Sequence, residues 1–512
     1  MSPLPGTIPE LVAHAAAAYG DREALVDHEV RWTFGRLCAE IERAARAALA
    51  RGVRPGDRVA VWAPNSREWI VAAVGAVCAG AVLVPLNSRY RGPEAADILL
   101  RTRARLLFTV RGFLGNDYPE MLAATGVELP ALEGTVLLND APDWDAYLKG
   151  GDAVPEAAYR ERAAAVGPDD PCDVIFTSGT TGRPKGVVTA HGQNLRTFAA
   201  WSAAVTLRTG DRYLLINPFF HTFGYKFGVL VCLLNGATMV PEPVFDVART
   251  VERIAAERVT VLMGPPTIFT SLLERPGRPA GTLRLAGTGA ATVPAELVRR
   301  IRADLGVPDV FTAYGLSESC GVVSVCPVDA DPETIAHTTG VALPGTEIRI
   351  AGPDGAPLPT GEPGEILVRG FNVMRGYLDD PDATARAITP DGWLRTGDVG
   401  VLDERGYLRI TDRIKDMFVV GGFNAYPAEI EGVLAAHPAV VEAAVVGVPD
   451  ARLGETGAAF LVTRAPVEPA ELTAWLRERL ANFKVPRHFH VVDALPRNAG
   501  GKVLKQQLRR QA

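Results

Sequence analysis

Ten consecutive residues gather the densest chemistry of this chain: Thr177-Ser178-Gly179-Thr180-Thr181-Gly182-Arg183-Pro184-Lys185-Gly186. Hydroxyl and glycine residues run unbroken from 177 to 182 and lead to a lysine. Glycine lets backbone N–H groups approach an anion, Ser and Thr add donors, and an ammonium adds a point charge. Such a set cradles phosphate oxygens. The preceding Asp173-Val174-Ile175-Phe176 reads as a short buried strand, which places the loop where α/β sheets bind ligands. The P-loop of common nucleotide hydrolases is excluded. That motif needs four residues between its glycines and then Gly-Lys-Ser/Thr. Here Gly179 and Gly182 are closer together, and Lys185 precedes Gly186.

Further candidates follow in order: Tyr314-Gly315-Leu316-Ser317-Glu318, Thr396-Gly397-Asp398, Asp412-Arg413-Ile414-Lys415-Asp416, and Pro496 to Lys502. Lysine usage sharpens the choice among them. Only seven of the 53 basic residues are lysine, at 149, 185, 226, 415, 484, 502 and 505. Where arginine is the default cation, a retained lysine marks a place that needs a compact ammonium rather than a planar fork. Lys185, Lys415 and Lys502 all fall inside these motifs.

The five ordered motifs resemble those of the adenylate-forming (ANL) superfamily, which holds acyl-CoA synthetases, amino-acid adenylation domains and luciferases, and the resemblance covers nearly the whole chain. It implies ATP, Mg²⁺ and CoA as cofactors and a small-molecule carboxylic acid as substrate. Thr177, Ser178, Gly179, Thr180, Thr181, Gly182 and Lys185 would hold the β- and γ-phosphates. Tyr314 would stack on adenine next to Gly315, Ser317 would contact phosphate, and Glu318 would bind Mg²⁺. Serine at 317 departs mildly from the family's more usual threonine and keeps the hydroxyl. Asp398 and Arg413 would meet the ribose, and Gly289 and Ala290 would border the nucleotide and the acyl group. Lys502 matches the catalytic lysine that bridges carboxylate and α-phosphate. Lys415 matches a hinge about which the C-terminal part turns between half-reactions, bringing Gly421 and Gly422 to the pantetheine path. His221 matches a gate beside the carboxylate, and Gly264 and Gly289 match positions lining the acyl cavity. Tyr225 and Lys226, just inside the next helix, are read as meeting a keto or hydroxyl group on a bulky substrate, or as facing solvent. The stretches Phe219–Gly228 and Phe371–Tyr377 look most like those of actinobacterial ligases for the indane-dione propanoate left from steroid rings. Three readings of the same fold stay open beside a CoA ligase: a stand-alone domain loading a carrier-protein thiol, a luciferase-like oxygenase, and an enzyme running a single half-reaction.

The elements that must position these residues are legible from pattern. Asp57–Pro64 leads through a helix to Gly80–Pro85, and Asp211–Pro218 leads through a helix to Gly236–Pro241 at nearly equal spacing. Both read as strand–helix–strand units, so two similar α/β subdomains are expected. A hairpin is expected over 20–36. From about Val341, short strands between Gly/Pro turns suggest a small β-barrel-like part. The expected fold is α/β: an N-terminal domain of residues 1–414, then a small mobile α+β domain of residues 415–512. That second domain reads as the helix Pro427–Ala436, the strand Val440–Val446, the helix Pro469–Leu480 and the strand His488–Val492. The uncharged stretch Trp69–Leu86 is broken by Gly75, Gly80 and Pro85 and reads as helix then strand rather than a membrane span.

Composition sets the remaining bounds. At 512 residues the chain should hold two or more domains. A net charge of −6 argues against a nucleic-acid partner. Six cysteines without a CxxC pair argue against a zinc site or a disulfide framework. With no basic-then-apolar leader, a cytoplasmic location is expected. A homodimer is one assembly open to it.

Overall fold

A computed structural model describes residues 4–177, 184–275, 281–289, 293–413, 416–420, 423–450, 453–480, 482–497 and 501–512. The chain forms two compact units. The first comprises residues 1–348 with 368–394, and the second residues 349–367 with 395–512.

The first unit holds two seven-stranded sheets. One runs in the order Gly376–Tyr377, Lys185–Ala190, Pro171–Thr177, Val82–Pro85, Arg58–Trp62, Leu106–Thr109, Gly134–Leu137. The other runs Asp309–Phe311, Leu285–Thr288, Val261–Gly264, Arg212–Leu215, Thr238–Pro241, Glu23–Asp27, Val30–Thr33. The two echoing segments are equivalent in space. Arg58–Trp62 pairs in parallel with Val82–Pro85, and Arg212–Leu215 pairs in parallel with Thr238–Pro241. Each sheet is parallel through its middle, so its strands are covered on both faces and read as continuous apolar runs. The expected hairpin over 20–36 forms as the antiparallel pair Glu23–Asp27 and Val30–Thr33, which extends the second sheet through Leu25 and Met239.

Trp69–Leu86 resolves as expected. Ser66 caps the helix Arg67–Cys78 by accepting from the Trp69 N–H. Gly80 takes φ +87° and turns the chain into the buried strand Val82–Pro85. Among the described residues no helix is long and apolar enough to cross a membrane. All six cysteines are free and buried.

In the second unit, Leu408–Arg413 pairs antiparallel with Leu394–Leu402. A five-stranded sheet contains Phe418–Val420, Phe423–Ala425, Val440–Asp450, Gly454–Thr463 and His488–Val491, with helices Pro427–Ala435 and Pro469–Arg477. The strand expected over Val440–Val446 runs on to Asp450, and its ten-residue partner Gly454–Thr463 is absent from the sequence reading. Gly454, Gly457, Ala458 and Ala459 give that partner little β-propensity. Packing supplies the reason for one glycine: a Cβ on Gly447, opposite Gly457, would meet Phe418 Cβ at 2.3 Å.

Candidate active site

Thr177 and Lys185, which flank the expected phosphate loop, lie on paired strands. Pro171–Thr177 pairs antiparallel with Lys185–Ala190, and Thr177 stands opposite Lys185. The two strands thus deliver Thr177 and Lys185 to one end of the sheet. Ser178, Gly179, Thr180, Thr181 and Gly182 lie outside the described residues, as do Ala290, Lys415, Gly421 and Gly422. Gly186 packs tightly, since a Cβ there would stand 2.8 Å from Val174 Cγ1.

A second segment locks onto this hairpin. Gly376–Tyr377 pairs with Val187–Val188, and the Leu378 N–H donates to the Gly186 carbonyl at 2.8 Å. The Met374 N–H donates to the Glu318 carbonyl at 2.8 Å. The Tyr377 hydroxyl donates to Glu318 Oε1 at 2.9 Å, and Lys185 Nζ lies 4.8 Å from the centre of the Tyr377 ring. Burial, then the neighbouring Glu318 charge, push the Tyr377 phenol well above its usual range, so it stays a donor. Tyr377 therefore joins the expected phosphate lysine to the expected metal carboxylate. Sequence reasoning assigned it no role. The signal available was an aromatic residue directly after a glycine at a short strand.

Glu318 is held by a tight turn. A Cβ on Gly315 would stand 2.1 Å from the Gly321 carbonyl oxygen, so only glycine fits after Tyr314. Ser317–Ser319 forms one helical turn, followed by Cys320 at φ +55° and Gly321 at φ +104°. Tyr314 is buried on the strand Ala313–Tyr314. Among the described residues no three His, Cys, Asp or Glu side chains gather as a metal cage. One carboxylate completed by phosphate oxygens is the donor set that Mg²⁺ takes, so Glu318 fits that ion.

The residues expected at the acyl site lie at or after the carboxyl ends of neighbouring parallel strands. Gly264 ends Val261–Gly264 and pairs with Thr288, which Gly289 follows. Arg212–Leu215 pairs with the same strand from the other side and leads to Asn217 and His221. Carboxyl ends of parallel strands are where such sheets bind ligands. Asn65 fixes the Asn217–Phe219 turn: its amide donates to the Leu215 and Asn217 carbonyls at 3.1 and 2.9 Å and accepts from the Phe219 N–H at 2.8 Å. His221 caps the turn Thr222–Gly224, its Nδ1 accepting from the Phe223 N–H at 3.1 Å. The neutral ring then carries its proton on Nε2, which is left as a donor. A Cβ on Gly264 would meet Ile268 Cγ1 at 3.0 Å, whereas one on Gly289 would touch only the Ala313 carbonyl at 3.5 Å.

Lys226 corrects the sequence reading. Its ammonium faces neither solvent nor an open cavity. It is 1% exposed and lies 2.9 Å from Asp173 Oδ1 and 2.8 Å from Thr189 Oγ1. Burial of a charge requires such a partner, and Asp173 within the hairpin strand provides it. Tyr225 is fully buried, 5.7 Å from Trp69 between ring centres, with its hydroxyl against the Cys172 thiol.

The second unit holds the other candidates. Asp398 is buried and stands opposite Arg413 in the antiparallel pair, and its N–H donates to Thr396 Oγ1 at 3.1 Å. Gly397 takes φ +70° in that turn. Lys502 is exposed, in a loop closed by the bridge between Arg497 and Val503 and by Arg497 Nη1 donating to the Gly501 carbonyl at 2.7 Å.

Comparison with known proteins agrees with this geometry. Residues 12–378 match the AMP-binding enzyme family, and residues 429–502 match the AMP-binding enzyme C-terminal domain. The chain is 50% identical over 522 residues to the 3-[(3aS,4S,7aS)-7a-methyl-1,5-dioxo-octahydro-1H-inden-4-yl]propanoyl:CoA ligase of Rhodococcus jostii (strain RHA1), covering 99% of each. It is 48% identical to the ligase of the same name from Mycobacterium tuberculosis (strain ATCC 25618 / H37Rv), covering 98% of each. Its fold matches the anthranilate CoA ligase AuaEII in complex with anthranoyl-AMP, with a TM-score of 0.88 and 28% identity over 100% of this chain and 98% of that one. Full-length matches of this kind, on a chain that keeps the motifs in order, show that it belongs to the AMP-binding enzyme family, as an ATP-dependent, AMP-forming acyl-CoA ligase of the adenylate-forming (ANL) superfamily.

Proposed function

We propose that the acid is a bulky cyclic propanoate of the indane-dione, steroid-fragment type. The observation that carries this is 50% identity to a ligase named for that acid, covering 99% of both chains.

The chemistry has two steps. A carboxylate oxygen attacks the α-phosphorus of ATP and the bond to the bridging oxygen breaks, so pyrophosphate leaves. A thiolate then attacks the acyl carbon of the mixed anhydride and AMP leaves. The first step asks mainly for alignment and neutralised phosphate charge. In this reading Thr177 to Gly182 and Lys185 hold the departing phosphates, Tyr314 stacks on adenine, and Asp398 and Arg413 hold the ribose. His221 Nε2–H orients the carboxylate, and Lys502 bridges it to the α-phosphate. Mg²⁺, when bound, neutralises phosphate charge from Glu318. The division at Lys415 into residues 1–414 and 415–512, with Gly421 and Gly422 on the pantetheine path, belongs to the same proposal.

The test is pyrophosphate release with Mg-ATP across short, long-chain, aromatic and bicyclic steroid-fragment acids, with and without CoA, followed by mass spectrometry. The bicyclic acid should give its acyl-CoA and AMP at the highest kcat/KM. Preference for a linear or aromatic acid would overturn the substrate assignment. No pyrophosphate from any acid would favour the single-half-reaction enzyme.

A smaller prediction arises from Tyr377. Tyr377→Phe removes one hydroxyl and leaves the ring beside Lys185. Groups that orient a metal ligand typically contribute about 10- to 100-fold in metal affinity or activity. The Mg²⁺ concentration for half-maximal pyrophosphate release should rise by roughly that factor, and nucleotide binding measured without acid should weaken in parallel. An unchanged Mg²⁺ dependence would refute the role.

A further inference from the structure

The buried Lys226 remains unexplained by phosphate or substrate contact. Burying two opposite charges rarely stabilises a fold more than an apolar pair of the same size, because desolvation offsets the attraction. What a buried ion pair does supply is a fixed position, since each partner must be satisfied by groups in one arrangement.

The network is fully connected. Thr189 Oγ1 donates to Asp173 Oδ1 at 2.8 Å and accepts from Lys226 Nζ. Asn194 Nδ2 donates to Asp173 Oδ2 at 2.8 Å. All four side chains are buried. Their elements matter more than their number. Asp173 and Thr189 face each other across the hairpin whose far end carries Thr177 and Lys185. Asn194 lies on the helix His191–Ala204 that leaves this hairpin. Lys226 lies on Tyr225–Leu230, a single π-helical segment that directly follows the His221 turn. Isolated π turns are rare and concentrate at functional sites, and this one directs Lys226 into the hairpin. The charges of Lys226 and Asp173 also reach the thiol of Cys320, two residues beyond Glu318. The lysine is one of only seven in the chain, and its point ammonium meets two acceptors, Asp173 Oδ1 and Thr189 Oγ1.

We propose that Lys226 and Asp173 are positioning residues that join the phosphate-loop hairpin to the acyl-site turn, fixing the carboxylate against the α-phosphate for adenylate formation. This rests on the reading above, in which the hairpin holds phosphate and His221 holds the acid. Neither side chain touches a reacting atom. They set the distance between the two halves of the reaction, and a misplacement of about 1 Å costs on the order of 100-fold in rate.

The decisive variant is the neutral pair Lys226→Met with Asp173→Asn, which leaves no buried charge unpaired. It is compared with wild type in four measurements: thermal unfolding, affinity for Mg-ATP without acid, kcat and KM of acid-dependent pyrophosphate release, and thioester formation from synthetic acyl-adenylate. The expected result is an unfolding temperature and an ATP affinity close to wild type. The kcat for pyrophosphate release should drop about 10- to 100-fold, with little change in the thioester step. Wild-type kcat in the folded double variant would overturn the proposal. Should that variant not fold, Thr189→Val removes the bridging hydroxyl alone. It should lower kcat for pyrophosphate release severalfold at unchanged ATP affinity, and an unchanged kcat would again overturn the proposal. Wild-type enzyme that adenylates no acid would instead remove the reading on which both rest.

Discussion

Lys502→Ala is expected to lower acyl-adenylate formation by about 1,000-fold while leaving thioester formation from synthetic acyl-adenylate close to wild type. The first half-reaction brings a carboxylate against a phosphate, two anions that repel until a cation stands between them. A single well-placed donor to developing charge is worth about 100- to 1,000-fold, and an ammonium lies at the upper end. In the second half-reaction a thiolate attacks an acyl carbon that carries no charge, and the proposed turn about Lys415 takes Lys502 out of that step, so the same loss should not slow it. The loop is closed by Arg497, which reaches the Gly501 carbonyl and Glu442 Oε1, and by the Leu504 N–H donating to the Pro496 carbonyl at 2.8 Å. None of these bonds uses the Lys502 side chain. Lys502→Arg should recover little, since a planar fork presents its charge differently from a point ammonium. Equal losses in both half-reactions would show that Lys502 serves the nucleotide generally rather than the attacking carboxylate.

The sheets and the motif order were legible in this sequence because they depend on local pattern. Apolar runs bounded by glycine and proline gave the parallel strands, and the echo of Asp57–Pro85 by Asp211–Pro241 gave two equivalent sheets. Glycine and hydroxyl density marked the phosphate loop because that chemistry tolerates few substitutes. What stayed hidden was set by packing between segments far apart in the chain. Gly454–Thr463 becomes a strand over its whole length because Val440–Asp450 offers a long partner, although Gly454, Gly457, Ala458 and Ala459 favour no strand. Lys226 read as facing substrate or solvent because polar residues inside a helix usually point outward. Its carboxylate lies 53 positions earlier, and only the folded hairpin brings the two together. Tyr377 gains its role from Glu318, 59 positions away. The lysine census was the one sequence signal that set Lys226 apart, and it could indicate importance without indicating a partner.

His191 makes the stability of the first unit depend on pH in a defined window. Its ring is 1% exposed, and its Nδ1 accepts from the Ile8 N–H at 3.2 Å, the first N–H of the helix Ile8–Tyr19. That donor has no partner within its own helix. Protonating His191 would turn the acceptor into a second donor and place positive charge where the helix dipole is already positive. Burial lowers the imidazole to about 4 from its usual 6.5, even though Asp173 and Asp170 pull in the opposite direction. With the folded value below the unfolded one, the unfolded chain binds the extra proton first as the solution is acidified. The stability that neutral His191 provides is therefore complete above pH 6.5 and drains away as pH falls toward 4. At 1.36 kcal/mol per unit, the whole window amounts to about 3 kcal/mol. His191→Asn keeps an acceptor close to the Nδ1 position and cannot titrate. The variant should be somewhat less stable than wild type at pH 7, lose less on acidification, and match or overtake wild type near pH 4. The measurement is the difference in unfolding temperature between the two proteins from pH 7 to pH 4, in which the titration of every other shared group cancels. Parallel curves across that range would show that the proton taken up on acid unfolding belongs elsewhere.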